Sequence, residues 1–82
     1  MITSDQCRAA RILAGLSAAE LAEQAGVGIA TIKRFESGQP VQPATVEAIV
    51  AALTSAGIAF IAAGGRSLHG GEGVRLKPRA RD

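Results

Sequence analysis

The chain has 82 residues, enough for one domain with a small core whose stability should be modest unless a partner chain adds buried surface. Apolar residues make up 48% of it, yet no apolar run approaches the ~20 residues of a membrane span and no basic, apolar, small-residue series marks a signal peptide, so a cytoplasmic protein is expected. The net charge of +2 hides an asymmetry: residues 1–65 hold four basic and five acidic side chains, whereas 66–82 hold five basic and two acidic, so any attraction to phosphate in the helical part must come from local placement of Arg8, Lys33 and Arg34, or else from the basic C-terminus.

Thr3-Ser4-Asp5-Gln6 has the form of a capping box, and a first helix is expected from Asp5 to Ala14, where Gly15 breaks it. Cys7, Ala10 and Ala14 fall at i, i+3 and i+7 and define its core stripe. The single cysteine has neither an internal disulfide partner nor a CxxC mate for metal, which makes Cys7 a small core residue. Ile12 and Leu13 lie partly off the stripe. Either the C-terminal segment covers them or they form a subunit contact.

Ser17-Ala18-Ala19-Glu20 is a second capping box and opens a helix to Ala25 with Leu21, Ala22 and Ala25 on one face. Gly26 supplies the left-handed backbone that ends it without a Cβ clash. A third helix follows from Gly28 to Ser37, with Ile32 and Phe35 turned inward and Lys33 and Arg34 outward, before Gly38. Two short helices joined by a tight glycine turn, the second with its cations outside, make a helix-turn-helix. Gln39-Pro40-Val41-Gln42-Pro43 cannot be helical, but Pro43 suits a first helical turn, where its missing N–H costs nothing. Val46, Ile49, Val50 and Leu53 then give a helical spacing from Ala44 to Ala56, stopped by Gly57.

The last quarter changes character. Ile58–Ile61 is a short apolar run, and Val74-Arg75-Leu76-Lys77 alternates apolar and basic like a half-buried strand. Gly64-Gly65 and Gly70-Gly71-Glu72-Gly73 bracket a loop between them, giving a β-hairpin and a disordered tail from Pro78. A two-stranded hairpin is marginal alone, so it should pack on the helices or pair with a second chain. His69 has no clustered ligand, and Gly71-Glu72-Gly73 is not followed by the Gly-Lys-Ser/Thr of a phosphate-binding loop. No cofactor, metal or catalytic set is expected.

Arg11, Gly15-Leu16-Ser17, Glu20-Leu21-Ala22, Ala25-Gly26-Val27, Thr31-Ile32 and Glu36-Ser37-Gly38 stand in the order and spacing of the lambda repressor and Cro (XRE) family of helix-turn-helix DNA-binding domains, which the chain resembles from Ser4 to roughly Ala56. The resemblance implies a mostly α fold, a bundle of four short helices, here with the C-terminal β-hairpin as a departure. The expected organisation is a DNA-binding domain over 1–57, a hairpin for dimerisation over 58–77 and a basic tail over 78–82.

By that resemblance the base-reading positions are Ile29, Ala30, Lys33 and Arg34. Lys33 and Arg34 can donate to guanine. Ile29 and Ala30 lack the amides or hydroxyls of many relatives but can press on thymine methyls. The phosphate-contact positions are Ser17, Ala18 and Gln39. Thr31 supports the turn, and Arg11 and Glu36 fall where relatives form a partly buried ion pair. Phe60, Val74 and Leu76 are the expected dimer contacts. The implied function is a sequence-specific regulator of double-stranded DNA, a repressor acting as a homodimer on a palindromic operator. The alternative is a module that holds a second protein, such as an antitoxin or an antagonist of another regulator.

Overall fold

The structure is a computed structural model, and the residues it describes are 2–61 and 73–76. The loop glycines expected at Gly64-Gly65 and Gly70-Gly71, His69, Lys77 and the basic tail at 78–82 lie outside the described residues. Four helices and a hairpin follow in chain order: α1 (Ser4–Leu13), α2 (Ala18–Ala25), α3 (Ile29–Glu36), α4 (Pro43–Ser55), β1 (Ile58–Ile61) and β2 (Gly73–Leu76). The fold is mostly α with a C-terminal antiparallel hairpin, as the residues implied.

Local chemistry sets most of the boundaries. The Thr3 hydroxyl accepts from the Gln6 amide at 3.1 Å while the Thr3 amide donates to Gln6 Oε1 at 2.9 Å, closing the first capping box. Ser17 and Glu20 repeat the arrangement at 3.0 and 2.8 Å. Gly26 caps α2 with φ +73°, the left-handed region. Pro43 opens α4 at a position with no intrahelical donor to lose.

One small core joins the elements. Cys7 and Ala10 of α1, Leu21 and Ala22 of α2, Ile32 of α3, Ile49, Ala52 and Leu53 of α4 and Ile58 of β1 form a single buried cluster. Burying a Leu or Ile side chain contributes ~1.5–3 kcal/mol, so Leu21, Ile32, Ile49, Leu53 and Ile58 dominate the stabilisation. Val50, expected inside, is only half-buried, because the core-facing line of α4 runs through Val46, Ile49 and Leu53 and leaves Val50 at its margin. Ala52 occupies the opposite margin and is buried instead.

In the hairpin Ile58 pairs with Leu76, Ala59 with Arg75, Phe60 with Val74 and Ile61 with Gly73. The second strand thus starts one residue before the alternating pattern does, since Gly73 can pair through its backbone without adding a side chain to the pattern. Phe60 and Val74, cross-strand partners, both pack on the helical core. The hairpin is fastened to α1 by Gln6, whose Nε2 donates to the carbonyls of Ile61 at 3.2 Å and Gly73 at 3.0 Å. Gln6 is 6% exposed, and one side chain therefore completes a helix cap and ties down both strands. Ile12, on the side of α1 away from the core, is 69% exposed and Leu13 43%, so among the described residues the C-terminal segment does not cover them.

Candidate nucleic-acid interface

The turn between α2 and α3 is short because Gly26 reverses the chain and the Val27 amide returns to the Ala22 carbonyl at 3.0 Å. Val27, Ala25 and Phe35 pack beside the core, and Ile32 is wholly buried beneath α3. With Ile32 and Glu36 fixed inward, the helical repeat turns Ile29, Ala30, Lys33, Arg34 and Ser37 to one outer face, and all five are exposed. Neither the hairpin nor any other described element covers that face.

The C-terminal end of α3 is held by charge. Arg11 Nε and Nη2 donate to Glu36 Oε2 and Oε1 at 2.9 and 3.1 Å, a bidentate pair, and Arg11 Nη1 donates to the Leu16 carbonyl at 3.1 Å. The Cys7 thiol donates to Glu36 Oε2 at 3.4 Å. Burial, then the neighbouring Glu36 carboxylate and this hydrogen bond, push the Cys7 thiol from 9.0 up to about 12. The hydrogen bond to Glu36 raises the Arg11 guanidinium above its ordinary value. Arg8 Nη1 donates to the Glu36 carbonyl at 2.9 Å and also pairs with Asp5. Arg8 is thereby engaged within its own fold, and Lys33 and Arg34 are left as the cations of the outer face. The ion pair fixes α3 against α1 and keeps the Glu36 carboxylate away from any phosphate.

The remaining expected contact positions surround α3. Ser17 and Gln39 are exposed and Ala18 half-buried. The Ser17 hydroxyl is committed to the Glu20 amide, so the donors left at the start of α2 are backbone N–H groups of its first turn. The Gln39 amide turns back to the Arg34 carbonyl at 3.0 Å, which leaves its side chain to face outward. A cleft lined by Thr31, Arg34, Pro40, Val41, Gln42 and Thr45 runs beside the C-terminal half of α3.

A family model for the helix-turn-helix domain matches residues 5–57, covering α1 to the end of α4. This chain belongs to the helix-turn-helix domain family. That family is associated with Cro-like DNA-binding regulators and is typically non-enzymatic. No curated protein matches the chain significantly. As a helix-turn-helix protein it is a DNA-binding regulator in general terms, with α3 as the second helix of the motif. Among its described residues no helix is long and apolar enough to cross a membrane, and no group of three or more His, Cys, Asp and Glu side chains comes together to hold a metal.

Of the residues singled out from the sequence, the structure brings Ile29, Ala30, Lys33 and Arg34 together on one surface, and Arg11 and Glu36 into direct contact. Phe60 and Val74 lie against the core rather than on an open face, and of the three expected dimer contacts only Leu76, 51% exposed, stands mainly in solvent. The structural importance of Gln6 beyond its cap had no local signal, because its acceptors lie 55 and 67 residues away in sequence.

Proposed function

We propose that this helix-turn-helix protein is a sequence-specific repressor that binds a palindromic duplex operator as a homodimer. The observation that supports this reading is the free outer face of α3, where Lys33 and Arg34 stand exposed while its acidic residue, Glu36, is turned inward and neutralised by Arg11. In that arrangement α3 enters the major groove and α2 lies across the backbone, its first-turn amides and the Gln39 side chain meeting phosphate. Lys33 and Arg34 donate to guanine O6 and N7, each good bidentate pair contributing ~1–3 kcal/mol of discrimination. So few cations make one subunit a weak binder, and a second subunit on a half-site one helical turn away supplies the rest. Among the described residues, the exposed Leu76 and the uncovered Ile12 and Leu13 are apolar groups available for the subunit contact.

The test is a gel shift on duplexes selected from a random pool. The double variant Lys33→Ala/Arg34→Ala should lose operator binding while melting as the wild type does. Unchanged affinity would defeat the proposal. The same selection separates the rival reading, a module that holds a second protein, such as an antitoxin or an antagonist of another regulator, which draws on the exposed, apolar Ile29 and Ala30 at the start of α3. A palindromic consensus supports the repressor, and absence of enrichment supports the rival.

A further inference from the structure

The outer face of α3 divides into two chemically different halves. Ile29 and Ala30 are its first two residues, both exposed, with 42% of Ile29 accessible. Gly28 precedes them, also exposed, and contributes no side-chain cap. Thr31, the hydroxyl of this turn, is half-buried on the inner side. The second half carries Lys33 and Arg34. In helix-turn-helix docking the N-terminal residues of the second helix are the ones that meet base edges. Here their side chains offer only methyl and methylene groups.

Along the floor of the major groove the base edges present hydrogen-bond donors and acceptors, and one protruding apolar group, the C5-methyl of thymine. An apolar side chain pressed on a donor or acceptor strips its water without replacing the bond, which is unfavourable. Pressed on a methyl, it removes apolar surface of both partners from water. The geometry points to a pyrimidine C5-methyl, of thymine or of 5-methylcytosine, as the group read by Ile29 and Ala30. This rests on the DNA-binding reading and deepens it. Because Gly28 has no side chain, nothing on that residue holds the first turn away from the groove floor. The four residues from Ile29 to Lys33 and from Ala30 to Arg34 span ~6 Å of helix axis. The methyl-bearing pyrimidine and the guanine that the cations contact are therefore different, neighbouring positions along the groove.

The experiment uses the full chain and a fluorescent duplex carrying the consensus selected from random DNA, read by anisotropy. Deoxyuridine replaces each thymine of one half-site in turn, which removes only the methyl. At one or two positions affinity should fall about fourfold per methyl, the value of one buried methylene-sized group. At those positions a cytosine duplex should bind more weakly than its 5-methylcytosine counterpart, and the size of that recovery tells whether thymine alone or either methylated pyrimidine is accepted. In Ile29→Ala, an exposed site whose change should leave the melting temperature intact, the deoxyuridine penalty should shrink, whereas in Lys33→Ala it should persist. Specific binding with no deoxyuridine position changing affinity by more than about twofold, or a penalty of equal size in Ile29→Ala, overturns the methyl inference alone. Failure to enrich any duplex overturns the DNA reading and this inference with it.

Discussion

Replacing Glu36 by alanine removes the acceptor on which the end of α3 depends. Its carboxylate receives two bonds from Arg11 and one from Cys7, and its side chain is 9% exposed against 19% for Arg11. In Glu36→Ala the guanidinium keeps only the Leu16 carbonyl at 3.1 Å and becomes a largely buried, unpaired charge. Breaking such a pair from one side costs ~3–5 kcal/mol, and the partial exposure of Arg11 argues for the lower end. An 82-residue chain at ~0.05–0.15 kcal/mol per residue has only ~4–12 kcal/mol in total, so about 3 kcal/mol is a large share. At ~4–8 °C per kcal/mol for a domain of this size, the melting temperature should drop by ~12–24 °C, measured by circular dichroism and checked by urea unfolding. Removing both charges together, as Arg11→Met/Glu36→Leu, should cost far less than the two single changes added, because no ion is left stranded. A Glu36→Ala melting temperature within ~4 °C of wild type, or strict additivity in the double variant, would refute the reasoning.

Four further outcomes can be measured directly. The Cys7 thiol, wholly buried and raised from 9.0 to about 12, should resist alkylation until the protein unfolds. Since the native state holds that proton more tightly than the unfolded one, the associated stability is complete below about pH 9 and is lost as pH rises towards 12; at about pH 10 the loss is on the order of 1 kcal/mol, visible in urea titrations and absent in Cys7→Ala. Gly26→Ala places a side chain at φ +73° with open space around it, so backbone strain alone should cost ~1–2 kcal/mol, and an unchanged urea midpoint would argue against that conformation. Gln6→Leu deprives the Ile61 and Gly73 carbonyls of a buried donor and opens the first capping box; at ~1–3 kcal/mol per unsatisfied buried group, amide exchange should accelerate in both strands before it does in α2 and α3.

Much of this architecture was legible because its determinants are local. Ser17 and Glu20 sit three residues apart and can only serve one helix start, and Gly26 lies where the chain must turn. The outward placement of Lys33 and Arg34 follows from the helical repeat once Ile32 is assigned to the core. What stayed hidden depends on residues distant in sequence. Gln6 shows its cap but not its two carbonyl acceptors, and Arg8 counts as a free cation until Asp5 and the Glu36 carbonyl are seen to hold it. Val50 lies at the margin and Ala52 is buried because α4 is apolar almost all round, and a helix with a weak polar face does not declare which margin meets its neighbours. The start of β2 was missed by one residue since glycine pairs by backbone alone.

The Gln6 clamp has a consequence for how this protein tolerates change. Because one amide grips the chain at Ile61 and again at Gly73, the two points where residues 62–72 leave and rejoin the hairpin stay in register independently of what lies between them. Doubling the length of that connection adds only ~0.6 kcal/mol of closure entropy. An epitope or a reporter inserted between Ile61 and Gly73 should therefore leave the strand pairing as it is, since both flanking residues are fastened to α1.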